Sequence, residues 1–466
     1  MAIVKASNLL DDPPNAVIPL SQPAMAHGVH RNLYLDYAAD DCSKSISRRG
    51  RSSMSRIKSN LPRVLGTVAA VTLQTFAFSA MVGGQAWAQE ISIGAVVPSS
   101  GPFAEWGRSN TVTLKMLEKQ TNDAGGINGA KLKITILDDA AKPAQAASSL
   151  RKLAGDDKVL AIAGPLTSSA AEVTFPVANE MKIVSTSQAS SKPGVAKLNR
   201  PWAFRNTIDE GVLAKTVIPY FKKSFNIKSV GIIFDAKDAT AGTVGKLVMP
   251  AVLKANEIAI ANENDPLSFN TGDLDVSAQV TKLKALNPDG VVISADYSQA
   301  ITVLREMKRQ GFIKPVVGST QIISSAVLKA APEIPVIAPA TFYATMKGAA
   351  PEKFTATLTP LLRAESGLPK EIEPSMYDAN IYEIVSMYID AVKKAGVTGK
   401  PADLEADRTK IRDHLAKLAN FEGLGGHIGF NDDGDAIKAF YVLQGQNGAW
   451  ATKVNGCSSA PGHPAC

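Results

Sequence analysis

From Ile91 onward, short continuous apolar runs alternate with segments whose apolar residues recur every three or four positions, the pattern of buried strands separated by amphipathic helices. Ile91–Val97 reads as a strand, Ser99–Gly107 as a loop, and Arg108–Ala124 as a helix with Leu114, Leu117 and Thr121 on one side. After the turn cluster Gly125–Gly129, Leu132–Leu137 alternates as a strand, Pro143–Asp156 reads as a helix and Val159–Ala163 as a buried strand. A second series has strands at Val230–Phe234, Ile258–Ala261, Val291–Ser294 and Val316–Gly318, with helices at Ala239–Asn256, Val276–Leu286 and Gln299–Gln310. Repeated strand–helix alternation predicts an α/β fold with parallel sheets covered by helices on both faces, and two such series predict two lobes. Tyr377–Ala395 keeps the helical period through Ile381, Ile384, Val385, Tyr388, Ile389 and Val392. Asn431–Asp435 is a turn between strands His427–Phe430 and Ala439–Gln444, and from Asn455 a Gly, Ser and Pro mixture without periodicity reads as disordered.

Between the two series lies Gly164–Gly194, read as loop, helix, strand and loop, with hydroxyls concentrated in both loops. Leu166-Thr167-Ser168-Ser169 opens a helix with Val173, Val177 and Met181 at i, i+4 and i+8, which sets free backbone N–H groups beside serine hydroxyls. That combination suits an anion. The second loop, Ser185–Ser191, follows the run Lys182–Val184, and ligands of open α/β sheets sit at the carboxyl ends of strands. Capping and turn chemistry explain either loop alone equally well.

The 466 residues carry a formal charge of +7, but seven of the basic residues, from Lys44 to Arg63, form a run ahead of the apolar stretch Val64–Val82. The charge therefore argues little for a nucleic-acid partner. Basic run, apolar run and the Ala86-Trp87-Ala88 step describe a secretory signal peptide over residues 61–88, against the alternative of a membrane anchor. Residues 1–60 are an unusually long leader, outside the fold or upstream of the true start. The mature product is expected to be a monomer, soluble outside the cytoplasmic membrane. Cys457 and Cys466 could close a small loop in an exported chain, and no cysteine–histidine spacing suits zinc.

Enzyme signatures are missing from the sequence. His414 and His427 are the only histidines between Glu90 and Val454, no G-x-S-x-G elbow occurs, and Gly242–Lys246 lacks the first glycine of a phosphate loop. Asn431–Asp435 lacks calcium-loop spacing. No cofactor or metal is expected.

The runs ISIGAVVPSSGPFAEWG, NDAGGINGAKLKITILDDAAKPAQA, GPLTSSAA and STSQASS, in that order, resemble type I periplasmic solute-binding proteins of the leucine/isoleucine/valine group, the capture subunits of ABC importers. The resemblance spans about Glu90–Val454. It implies two Rossmann-like lobes joined by a three-segment hinge, lobe one being 89–207 plus 346–428 and lobe two 208–345 plus 429–454, with 455–466 a disordered tail. It further implies a small carboxylate ligand trapped in the cleft, and permease and ATPase subunits as partners. A periplasmic sensor of the same fold, acting through a signalling partner, is the alternative.

By the same resemblance, the ligand carboxylate is held by Leu166, Thr167 and Ser168 on one loop and Gln188, Ala189 and Ser190 on the other, with Trp106 as an aromatic wall. Half-cystines of some relatives fall at Ala141 and Thr167. The glutamate that holds an ammonium in amino-acid binders corresponds to Thr320, and two tyrosines fall near Ala241 and Asp296. Asp296 either replaces the lost carboxylate or caps the helix that begins near Ser298. The ligand is expected to be a neutral amino acid or an aromatic or other organic acid.

Overall fold

The computed structural model describes residues 90–446 and 448–459. The leader, the apolar run read as a signal peptide, Cys42 and Cys466 lie outside the described residues. Strands β1 (Glu90–Val97), β2 (Lys131–Asp138), β3 (Ala161–Ala163), β4 (Val184–Ser187) and β5 (Ala203–Arg205) form a parallel sheet in the order β2-β1-β3-β4-β5. Helices α1 (Ala104–Asp123), α2 (Pro143–Arg151) and α3 (Ser168–Glu180) connect its strands. Strand order reverses on either side of β1, so the loops after β1 and β3 flank a crevice at the carboxyl ends, where such sheets hold ligands.

The second lobe follows with α4 (Glu210–Phe225), β6 (Ser229–Asp235), α5 (Ala239–Thr243), α6 (Met249–Ala255), β7 (Ala259–Ile260), β8 (Leu267–Phe269) and α7 (Ser277–Leu286). It continues through β9 (Gly290–Ser294), α8 (Tyr297–Arg309), β10 (Val316–Gly318), α9 (Ser325–Ala330) and β11 (Val336–Ala340). The chain then returns to lobe one for α10 (Ala349–Ala364), α11 (Met376–Lys394), α12 (Leu404–Ala416), β12 (Phe421–Gly423), β13 (Gly426–Phe430) and β14 (Ala436–Ile437). It ends in lobe two with β15 (Ala439–Gln446) and β16 (Ala449–Ser458). The second sheet has the order β16-β15-β11-β10-β9-β6-β7, with β8 also on β6; its first five strands in chain order and β11 run parallel, and β15 and β16 close the edge antiparallel. Three crossings join two Rossmann-like lobes, and the architecture is that of a type I binding protein. Among the described residues no helix is long and apolar enough to cross a membrane.

Several expectations need correction. The third crossing lies at Lys438 and not at 428/429, because Ile428, Phe430 and Ala436 remain packed in the lobe-one core, where Phe430 meets Phe204 edge-on with ring centroids 5.1 Å apart. The tail does not become irregular at Asn455. Strand β16 runs to Ser458, with Cys457 paired to Phe440 in the ladder, buried and disulfide-bonded. Of the three residues that set the period of α3, Val177 is buried and Met181 packs against the core, but Val173 is 39% exposed; Ala170, Thr174, Phe175 and Ala178 complete the buried face. Phe175 supplies the bulk that the i, i+4, i+8 count overlooked.

The hinge is polar and buried. Arg205, fully enclosed at the end of β5, pairs bidentately with Asp435 through its Nε and Nη2, meets Asp209 at 3.0 Å, and donates to the Lys192 carbonyl at 2.6 Å. At the third crossing Lys438 donates to Glu383 at 2.6 Å and to Asn380 at 3.0 Å, both on α11. Buried charges are tolerated only when paired and hydrogen-bonded, and here each is. The same helix α11 packs its apolar face on the first sheet, and Tyr388 donates to the Ile162 carbonyl at 2.9 Å.

Candidate functional site

Lobe one presents two loops locked to each other. Gly164 leaves β3 with φ of +119°, and a Cβ there would stand 2.3 Å from the Val96 carbonyl oxygen, so only glycine makes this turn beside β1. Thr167 then caps α3, its hydroxyl accepting from the Ala170 N–H at 3.2 Å. Ser187 ties the second loop to the first: its hydroxyl donates to the Pro165 carbonyl at 2.6 Å and accepts from the Ser190 N–H at 3.0 Å. Ser168 and Ser190 meet hydroxyl to hydroxyl at 2.9 Å. The α3 N-terminus, with its unpaired N–H groups and positive dipole end, lies beside these hydroxyls.

Helix α1 begins at Ala104, earlier than its periodicity indicated, so Trp106 sits on the first helical turn and not in a loop. Gly107 allows that turn to press on the end of β1, since a Cβ would meet the Pro98 carbonyl oxygen at 2.0 Å. Trp106 is 4% exposed and stacks on Phe103 at 5.6 Å between centroids; Tyr297 and Tyr377 lie against it at 4.8 and 4.5 Å. Two lobes thus meet on one indole.

Lobe two brings the loops after β6, β9 and β10 to the same place. Asp238 caps α5, accepting from the Ala241 N–H at 2.7 Å and from the Gln321 amide at 3.0 Å, through one and the same oxygen. Burial raises its pKa, and neighbouring Asp235 and Asp296 push in the same direction. A narrow inner cavity lies between the lobes, lined by Phe103, Trp106 and Tyr377, by Leu166, Thr167, Ser168 and Ala189, and by Asp238, Thr240 and Gln321. Ser168 and Thr240 bridge it with a 2.6 Å hydroxyl contact. Among the described residues no lysine or arginine lines it, so Asp238 faces the cavity with no cation beside it there.

Of the residues expected from sequence, Trp106, Leu166, Thr167, Ser168 and Ala189 line this cavity, and Ser190 backs it through Ser168. Gln188 does not: its amide donates to Asn110 at 3.1 Å inside lobe one, while its carbonyl accepts from Asn380 at 2.8 Å. Ala241 is buried behind Thr240, its carbonyl accepting from Ser294 at 2.9 Å. Thr320 is turned to Glu210, which accepts from its N–H at 3.1 Å and from its hydroxyl. Asp296 is a helix cap, accepting from the Ser298 N–H at 2.6 Å and the Gln299 N–H at 3.2 Å. Those two N–H groups and the Ser298 hydroxyl all meet one oxygen, Oδ1, and Asp296 is not among the residues that line the inner cavity.

Asp238, Thr240, Gln321, Tyr297, Tyr377 and Phe103 escaped the sequence reading. Asp238 and Thr240 had a local signal, an Asp at the start of a helical run, but capping alone gives no reason to expect a cavity wall. Among the described residues no cluster of acids, histidines or cysteines is arranged to hold a metal ion. The cavity, about 10 Å³, has room for one water between uncharged donors on lobe one and the Asp238 carboxyl on lobe two.

Comparison with known proteins agrees in kind. The chain is 26% identical over 361 residues to Leu/Ile/Val-binding protein homolog 1 of Brucella abortus, covering 78% of this chain and 91% of that protein. Its fold is similar to the branched-chain amino acid transporter substrate-binding protein LivJ of Streptococcus pneumoniae in complex with isoleucine (TM-score 0.68, 24% identity, 79% of this chain and 99% of that one). It is equally similar in fold to an ABC-transporter solute-binding protein of R. palustris in complex with benzoate (TM-score 0.68, 16% identity, 81% and 99%). The model of the periplasmic binding protein family matches residues 90–449, and the chain belongs to that family.

Proposed function

We propose that the protein is the periplasmic substrate-binding subunit of an ABC importer and that its ligand is a zwitterionic amino acid captured by closure of the two lobes. One observation carries the ligand reading: uncharged N–H and hydroxyl donors on lobe one face a buried carboxylate, Asp238, that has no protein cation across the cavity. Ser168, the α3 N-terminus and the Ala189–Ser190 backbone take the ligand carboxylate, and Asp238 takes the ammonium. Each charge-assisted hydrogen bond contributes roughly 1.5–3 kcal/mol, and the aromatic faces of Trp106 and Tyr377 favour a cation by about 0.5–2 kcal/mol. Folds similar to this one hold isoleucine in one protein and benzoate in another, so the fold alone does not choose. Asp238 favours an amino acid, because a ligand with no cation leaves that carboxyl buried with hydrogen bonds from Ala241 and Gln321 but no opposite charge.

Contacts made by both lobes at once favour the closed state, and closure is what a permease can read. Export is supported by the basic run, apolar run and small-residue step that precede Gln89. A thermal-shift screen of the purified protein tests the ligand reading, with L-amino acids set against the same acids lacking the amine. At about 100 times Kd an amino acid should add roughly 2.7 kcal/mol. Stabilisation by the amine-free acids and not by any amino acid would overturn it.

A further inference from the structure

Glu210 opens α4 immediately after the first crossing and is 1% exposed. It stands where the two lobes join. Its N–H donates to the Ser191 carbonyl of lobe one at 3.2 Å, and its carboxyl accepts from the Thr320 N–H at 3.1 Å and from the Thr320 hydroxyl, in the lobe-two loop after β10. The Thr320 carbonyl in turn accepts from Tyr377 of lobe one at 3.3 Å. Gln321, next in that loop, lines the inner cavity and donates to Asp238. The cations of the hinge are engaged elsewhere: Arg205 with Asp435 and Asp209, Lys192 with Glu172, and Lys438 with Glu383. Among the described residues, none pairs with Glu210. Burial raises its carboxyl from 4.5 to about 7, with Thr320 donating in partial opposition and the Asp209 charge adding to the rise. Burial and then the Glu210 charge push the Tyr377 hydroxyl upward, so Tyr377 stays neutral.

We propose that Glu210 couples capture to proton uptake: lobe closure seals its carboxyl from water in the neutral form, so the ligand binds more tightly in mild acid than in mild base. This rests on the reading above that capture proceeds by lobe closure. Parting the lobes draws Tyr377 off the Thr320 loop and admits water to the carboxyl from that side, and water favours the charged form. The closed state therefore holds the proton more tightly than the open one. Above about pH 7 the carboxyl is ionised in both states, and closure bears the full cost of burying the charge. As pH falls through that value the closed state takes up the proton, the cost disappears, and affinity rises. Asp238 has the opposite sign, because protonating it removes the partner of the ligand's ammonium and weakens binding as pH falls.

Calorimetric titration of the purified protein with each neutral L-amino acid, repeated with the tightest of them across about pH 6 to 8, tests this. The wild type should bind it about five- to tenfold more tightly at the acid end than at the basic end. Two buffers of different ionisation enthalpy should show about half a proton taken up per ligand near the middle of that range. Glu210→Gln keeps an acceptor for Thr320 but cannot titrate, so its affinity should be flat with pH and its proton uptake lost. A merely structural role would shift affinity equally at every pH and leave the slope. Thr320→Val keeps the shape and removes a donor to the carboxylate, and should move the midpoint of the profile upward. A flat profile in the wild type, a slope of the opposite sign, or a slope that survives Glu210→Gln would overturn the coupling and leave the zwitterion reading standing. Failure of every amino acid to bind at any pH would sink both.

Discussion

Lys438 lies at the third crossing, 4% exposed, with its ammonium 2.6 Å from Glu383, which is itself 2% exposed. The Glu383 carboxylate also accepts from Asn206 on the first crossing at 2.8 Å and from the Leu424 N–H at 2.9 Å. Replacing Lys438 by Met removes the charge and keeps most of the stem, so packing loss is small and the loss is electrostatic. The remaining hydrogen bonds do not neutralise Glu383, and breaking a buried pair at one end costs about 3–5 kcal/mol. Against a total stability of roughly 5–15 kcal/mol that is a large fraction. Glu383→Gln should cost a similar amount, since it strands the ammonium. The double variant Lys438→Met/Glu383→Gln leaves no buried charge, and should be more stable than either single variant by at least about 1 kcal/mol. Urea unfolding with linear extrapolation on the four proteins gives the coupling energy. Costs that simply add, or a single-variant cost below about 1 kcal/mol, would refute the view that this pair acts as a unit in the hinge.

Three further outcomes follow from the geometry. Burial raises the Glu210 carboxyl from 4.5 to about 7, with Thr320 donating to it in partial opposition. A raised carboxyl pKa means that the folded state holds the proton more tightly than the unfolded chain. The group's cost is therefore absent below about pH 4.5 and grows until about pH 7, to roughly 3 kcal/mol at about 1.4 kcal/mol per unit. Glu210→Gln should flatten the fall in stability between pH 5 and 8 measured by urea unfolding, and an unchanged slope would contradict the assignment. Ser168→Ala removes a hydroxyl that bridges Ser190 and Thr240, and should weaken ligand binding about 10- to 100-fold at the value of one charge-assisted hydrogen bond, read by calorimetry. Gly164→Ala forces a Cβ to within 2.3 Å of the Val96 carbonyl at positive φ, and should lower Tm by several degrees, read by calorimetric scanning.

Periodicity carried most of the strands and helices where burial was continuous, though the wholly buried strand β11 (Val336–Ala340) was not read from it. The strands of both series and helix α11 stand out because apolar residues recur where a core must be. It failed where the signal is short or shared. Strand β5 is only Ala203–Arg205, and its polar end residue is held by an ion pair with Asp435, 230 positions away. Strand β16 looks irregular in sequence because its order comes from pairing with β15 and a buried, disulfide-bonded Cys457. The lobe-one half of the site was legible because both loops carry their own hydroxyls and one caps a helix. The lobe-two half was not, since Asp238 and Asp296 both cap helices, α5 and α8, and which of the two lines the cavity is set by how their loops pack. Asp296 receives two N–H groups and Ser298's hydroxyl on one oxygen, whereas Asp238 shares its bonds with Gln321 from another loop and lines the cavity.

The central claim is that Asp238 holds the ligand's ammonium while lobe one holds its carboxylate. The most direct measurement is a calorimetric comparison of one amino acid and its amine-free analogue on the wild type and on Asp238→Asn. The variant should bind the amino acid at least about 30-fold more weakly, since losing one partner of a buried charge pair costs about 2–5 kcal/mol. It should bind the amine-free acid as well as or better than the wild type does. Equal loss for both ligands, or no loss for the amino acid, would contradict the account.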